Sequence, residues 1–132
     1  MMRPPATTGL RHVALNVQDM DACERFYTDL LGMRVEWRPD ANNVYLTSGN
    51  DNLALHRATS AVNPESAQRL DHIGFVVNAI GDVDAWFMYL KLKGATMVEE
   101  PSAHRDGARS FYCQDPAGNT VQIIYHPSLV NK

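Results

Sequence analysis

Three histidines and one glutamine stand at places in this chain where their chemistry could be combined. His12 and His72 each open a copy of one short pattern, Leu10-Arg11-His12-Val13-Ala14-Leu15-Asn16-Val17 and Leu70-Asp71-His72-Ile73-Gly74-Phe75-Val76-Val77. After each histidine the side chains alternate as in a strand. Val13, Leu15 and Val17 therefore share one face and His12 the other, and Ile73, Phe75 and Val77 stand opposite His72 in the same way. His56 follows His12 by 44 residues and Gln122 follows His72 by 50. This spacing reads His56 and Gln122 as equivalent members of the last strand of each copy. Three imidazoles and an amide oxygen from four strands suit a divalent first-row ion, Zn, Ni, Fe, Mn or Co, while the small Ala54 and Gly74 leave room for a bound molecule. Such a ligand set is neutral, so it predicts an ion whose charge is balanced by an anionic chelating substrate.

The elements that must hold these residues repeat as well. Asp19 is a good helix N-cap, and Met20, Cys23, Phe26, Tyr27, Leu30 and Leu31 fall at helical spacing as far as Gly32. Strand-like runs follow over 33–38, 43–47 and 52–57, separated by Pro39 and by Ser48-Gly49-Asn50. The second copy runs from a strand over 70–77 to a helix from Asp82 through Val83, Trp86, Phe87 and Leu90 to Gly94. Strands near 95–100, 108–114 and 119–125 complete it. A period of about sixty residues is a duplication. The expected fold class is α+β: two βαβββ modules, 10–57 and 70–126, forming an eight-stranded mixed-sheet cavity with helices on the outer face. Residues 58–69 read as a connector and 1–8 as a flexible tail, all within a single domain of 132 residues.

Composition excludes several classes of function. With 45% hydrophobic and 20% charged residues and a net charge of −3, the chain lacks the basic surface that nucleic acid requires. No stretch has the length of a membrane span. Cys23 and Cys113 form neither a CxxC nor a disulfide framework, so they are expected as free thiols in the cytoplasm.

The two modules, the Phe26-Tyr27 to Leu31-Gly32 helix ending and the Asp115-Pro116-Ala117-Gly118-Asn119 turn resemble the vicinal oxygen chelate superfamily over residues 10–126. That superfamily includes glyoxalase I, methylmalonyl-CoA epimerase, the fosfomycin and bleomycin resistance proteins and the extradiol dioxygenases. The resemblance implies metal ligands at His12, His56, His72 and Gln122 and a substrate with two adjacent oxygens, with chemistry of the lyase/isomerase or ring-cleaving dioxygenase type. A non-catalytic binding or antibiotic-resistance protein is the alternative it implies, and a homodimer is the implied assembly. The stretch from His104 through Phe111-Tyr112 and Asp115-Pro116-Ala117-Gly118 to Gln122 is similar to the extradiol signature. It implies His104 as acid/base and Tyr112 as a contact to a substrate oxygen; Gln122 stands where that signature carries a glutamate.

Overall fold

The computed structural model describes residues 10–59, 70 and 72–129. Most of the segments read as connector and tail therefore lie outside the described residues. The chain divides into two compact units, residues 1–59 and 60–132, and each contains one βαβββ module.

In the first unit β1 (His12–Val17) leads into α1 (Met20–Arg25), which continues as a π-helical turn over Phe26–Leu30; β2 (Arg34–Asp40), β3 (Asn43–Thr47) and β4 (Asn52–Arg57) follow. The sheet order is β1-β4-β3-β2. Only the β1–β4 pair is parallel, because the helix carries the chain back to the end where it began, whereas the later strands follow one another through tight turns. The second unit repeats this with β5 (Ile73–Val76), α2 (Ile80–Leu92), β6 (Thr96–Ala103), β7 (Arg109–Gln114) and β8 (Thr120–Tyr125) in the order β5-β8-β7-β6. The α+β class and the two four-stranded mixed sheets are those expected from the repeat.

Strand parity also matches the expectation. Leu15 and Val17 of β1, Val44 and Leu46 of β3 and Leu53 and Leu55 of β4 are buried, as are Met20, Cys23, Phe26 and Tyr27 of the first helix. In the second unit Val83 and Leu90 of α2 are buried, as are Phe111, Cys113, Val121 and Ile123 of the sheet, and α2 packs on β6, β7 and β8. Burying these apolar faces drives each module together, and the opposite face of each sheet carries the polar residues.

Two local features differ from the sequence reading. The first helix is not α-helical throughout, because the Leu31 amide reaches back five residues to the Phe26 carbonyl. Asp19 caps its start as expected, accepting from the Ala22 amide at 3.0 Å. Four residues back from Thr28, the Glu24 carbonyl accepts from the Thr28 hydroxyl at 2.8 Å, a bond that competes with the regular helical ladder and opens its last turn. Pro39, read as a separator between strands, and Pro101, just past the strand expected near 95–100, lie inside β2 and β6. Both are edge strands with register shifts beside the proline. A missing amide is tolerated there because no neighbour needs it.

Candidate functional site

Register places each candidate residue. In the second unit Gly74 of β5 pairs with Gln122 of β8, which pairs in turn with Tyr112 of β7. His72 precedes Gly74 by two residues on the same face, an offset of about 7 Å along the strand. Gln122 is 8% exposed, and its amide nitrogen donates to Ser110 Oγ at 3.2 Å and to Tyr112 Oη at 3.1 Å. With both N–H groups committed, Oε1 turns toward β5, where it would stand 3.3 Å from a Cβ placed on Gly74. A Cβ at that distance would be a tight contact for the acceptor, which glycine avoids. The His72 ring meets Tyr112 edge-on at 5.3 Å. His104 Nε2 lies 2.8 Å from Ser110 Oγ. The buried serine thus joins His104 to Gln122, a link that sequence reading missed because Ser110 carries no motif of its own.

In the first unit the equivalent rung is Ala14 of β1 beside Ala54 of β4, and Ala54 pairs with Tyr45 of β3. Gln122 therefore corresponds to Ala54. This corrects the spacing argument that matched it with His56, which stands two residues further on beside Asn16. His12 lies opposite Asn52, so four residues, about 13 Å of strand, separate the His12 and His56 rungs. For both imidazoles to close onto one ion with bonds near 2 Å, the two side chains would have to lean toward each other along the strands. Spacing failed because intervening loops contribute to it, whereas a parallel ladder counts only strand residues.

His12 and His56 are held by the same device. His12 Nδ1 lies 2.7 Å from Asn52 Oδ1, and Asn52 Nδ2 donates to Glu36 at 3.1 Å. His56 Nδ1 lies 2.6 Å from Asn43 Oδ1, and Asn43 Nδ2 donates to both carboxylate oxygens of Asp40 at 2.9 and 3.1 Å. An amide oxygen only accepts, so in the neutral form of either ring the proton sits on Nδ1 and the lone pair on Nε2. Ligating histidines are commonly oriented this way.

Other residues have structural roles. Arg109 donates two hydrogen bonds to Asp84 at 2.7 and 2.8 Å, which holds the Asp84 carboxyl below its ordinary range. Trp37 stacks on Tyr45 with centroids 5.2 Å apart. His126 donates to Asp106 at 3.0 Å. Both cysteines are buried and outside any disulfide among the described residues. Burial, and secondarily the charge of Asp115, pushes the Cys113 thiol up to about 11 from 9.0. The neutral thiol is favoured in the fold, so its contribution to stability is complete below about pH 9 and is lost as pH rises toward 11. In the native protein at pH 8, iodoacetamide is expected to leave Cys113 unlabelled and to label it on addition of urea, as read by mass spectrometry.

Among the described residues no three His, Cys, Asp or Glu side chains cluster as a metal site. In the second module the donor chemistry, an imidazole at His72 and the aimed Gln122 oxygen, fits a loosely held divalent ion.

A duplicated βαβββ unit with a parallel first and last strand, and with donors on the face away from the helix, defines a class of small-molecule sites. The chain belongs to the Glyoxalase/Bleomycin resistance protein/Dioxygenase superfamily, whose family model matches residues 9–123. Metapyrocatechase 2 of Cupriavidus necator is 30% identical over 122 residues, covering 92% of this chain and 35% of that enzyme. An uncharacterized protein of Pseudomonas aeruginosa is 29% identical over 130 residues, covering 91% of this chain and 90% of that one. Among solved structures, the lactoylglutathione lyase of Agrobacterium tumefaciens superposes with a TM-score of 0.74 at 27% identity, covering 93% of this chain and 96% of the lyase.

Proposed function

We propose that the chain is a metal-dependent enzyme of this superfamily acting on a small molecule with two adjacent oxygens, by lyase/isomerase or ring-cleaving dioxygenase chemistry. The observation that carries this reading is the commitment of the Gln122 amide nitrogen to Ser110 and Tyr112, which presents its oxygen over Gly74 beside His72. In the second module His72 and Gln122 are the proposed ligands of a Zn, Ni, Fe, Mn or Co ion; in the first, register favours His12 over His56 as a donor. When bound, the ion supplies Lewis acidity toward the two substrate oxygens.

The chain's own residues do the rest. Tyr112 accepts from Gln122, so its own O–H is free to donate to a substrate oxygen. His104 acts as acid/base through the Ser110 hydroxyl, 2.8 Å away. With no carboxylate in the ligand set, an anionic substrate completes the charge balance. Two buried cysteines outside any disulfide among the described residues fit a reducing cytoplasm, and a homodimer is the proposed assembly. The second reading, a binding or resistance protein without metal chemistry, is favoured by one observation: Ala54 occupies the rung that holds Gln122 in the other module.

Elemental analysis of untagged protein separates the two readings. The enzyme reading expects at least about half an equivalent of one first-row metal after incubation with Zn, Ni, Mn, Co or Fe(II), and its loss in His72→Ala. No uptake of any of the five would leave the binding-protein reading.

A further inference from the structure

Helix α2 is apolar on two opposite faces. Val83 and Leu90 are buried against the sheet. The far side carries Met88 and Leu92, 64% and 83% exposed, in line with the exposed Gly81 and Ala85. These four residues stand four, three and four positions apart, as along the seam of two packed helices. A surface helix ordinarily turns charge outward, so an apolar stripe there marks a contact surface. Charge borders the stripe instead. Asp82 stands at the start of the helix, two turns before Tyr89 on the same flank, and Lys93 at the helix end has its Nζ 5.8 Å from the Tyr89 ring. On the other flank Asp84 holds Arg109, and Lys91 Nζ lies 5.7 Å from the Phe87 ring. Among the described residues the ion pairs engage neither Asp82, Lys91 nor Lys93.

The stripe is small at its first end and large at its second, and its flanks are acidic at the first end and basic at the second. One partner satisfies both gradients: a second α2 running the opposite way. Leu92 of one copy then lies over Gly81 of the other and Met88 over Ala85, so large side chains fill the space that small ones leave. On the flanks Lys93 meets Asp82, and Lys91 meets the Asp84 carboxylate that already holds Arg109. The opposed helix dipoles agree with this direction. A parallel pair would set Leu92 on Leu92, leave Gly81 facing Gly81 and bring like charges together. We infer that this face of α2 is the homodimer contact, two copies packing antiparallel about a two-fold axis. The inference deepens the homodimer reading and rests on it. A single helix pair is at the small end of specific interfaces, so the dimer is expected to be weak and to add little to the stability of each fold.

Sedimentation of the 132-residue chain over a concentration series tests the contact. Wild-type protein is expected to show a monomer–dimer equilibrium. Met88→Glu places a good helix former on an exposed position. It is expected to raise the dissociation constant at least about tenfold with the helical circular dichroism unchanged. Asp82→Lys and Lys93→Glu are each expected to raise it severalfold, because each sets like charges together, and the double variant to return it toward the wild-type value. A wild-type monomer at every concentration overturns the homodimer reading and this inference with it. A dimer indifferent to Met88→Glu leaves that reading standing and overturns the assignment to α2. Single charge variants without effect, or a double variant weaker than either single one, overturn the antiparallel arrangement.

Discussion

Gln122→Glu is expected to tighten divalent metal binding by about ten- to a hundredfold, roughly 1.4–2.8 kcal/mol. The side chain keeps its shape, and the network around it adapts. Ser110 and Tyr112 accept from the Gln122 amide through hydroxyl oxygens at 3.2 and 3.1 Å, and a hydroxyl can rotate to donate to a carboxylate instead. The variant thus replaces a neutral donor by a charged one without leaving a polar group unpaired. At 2–3 Å the gross attraction between the ion and the carboxylate is large, but desolvating the carboxylate offsets much of it, which is why the surplus is modest. Competition titration against a chromophoric chelator measures the change. Unchanged or weaker affinity would remove Gln122 from the ligand set. The same substitution at Ala54 is less clean, because that residue is fully buried against its neighbours and has no donor network.

Phe111→Ala is expected to cost about 3–5 kcal/mol, a large part of the stability of a domain this size. Phe111 is fully buried on the helix face of β7, opposite Ile123 of β8. Its ring meets Phe87 of α2 edge-on at 5.4 Å. Removing it opens a cavity between sheet and helix and also takes away the aromatic contact. The unfolding midpoint should fall by about 10–20 °C in a calorimetric scan. Leu92→Ala, at a side chain 83% exposed on the same helix, should stay within about 0.5 kcal/mol. Similar losses in the two variants would mean that α2 does not pack on its sheet through Phe111.

Phe111 and Gln122 also show what the sequence made legible. Alternation is a property of single strands, so the faces of β1, β5, β7 and β8 could be read directly, and the repeated Leu-x-His pattern revealed the duplication. Pairing is a property of two strands at once. His56 could not be told from Ala54 by counting residues, because the turns between strands differ in length in the two modules, and only the ladder shows that Ala54 answers to Gln122. The Ser110 link between His104 and Gln122 escaped notice for a related reason: it joins a loop residue to the far strand through a side chain with no spacing signature. The two Asn–carboxylate supports of His12 and His56 are likewise contacts across strands. Pro39 and Pro101 misled because a proline ends a central strand but not a bulged edge.

The most direct test of the proposed site is a crystal structure of the protein soaked in Zn(II), with an anomalous difference map collected at the zinc edge. The expected result is a peak within about 2.0–2.3 Å of the His72 imidazole and the Gln122 Oε1, with none at His56. A peak on His56, or none at His72 and Gln122 in crystals soaked to saturation, would contradict the account.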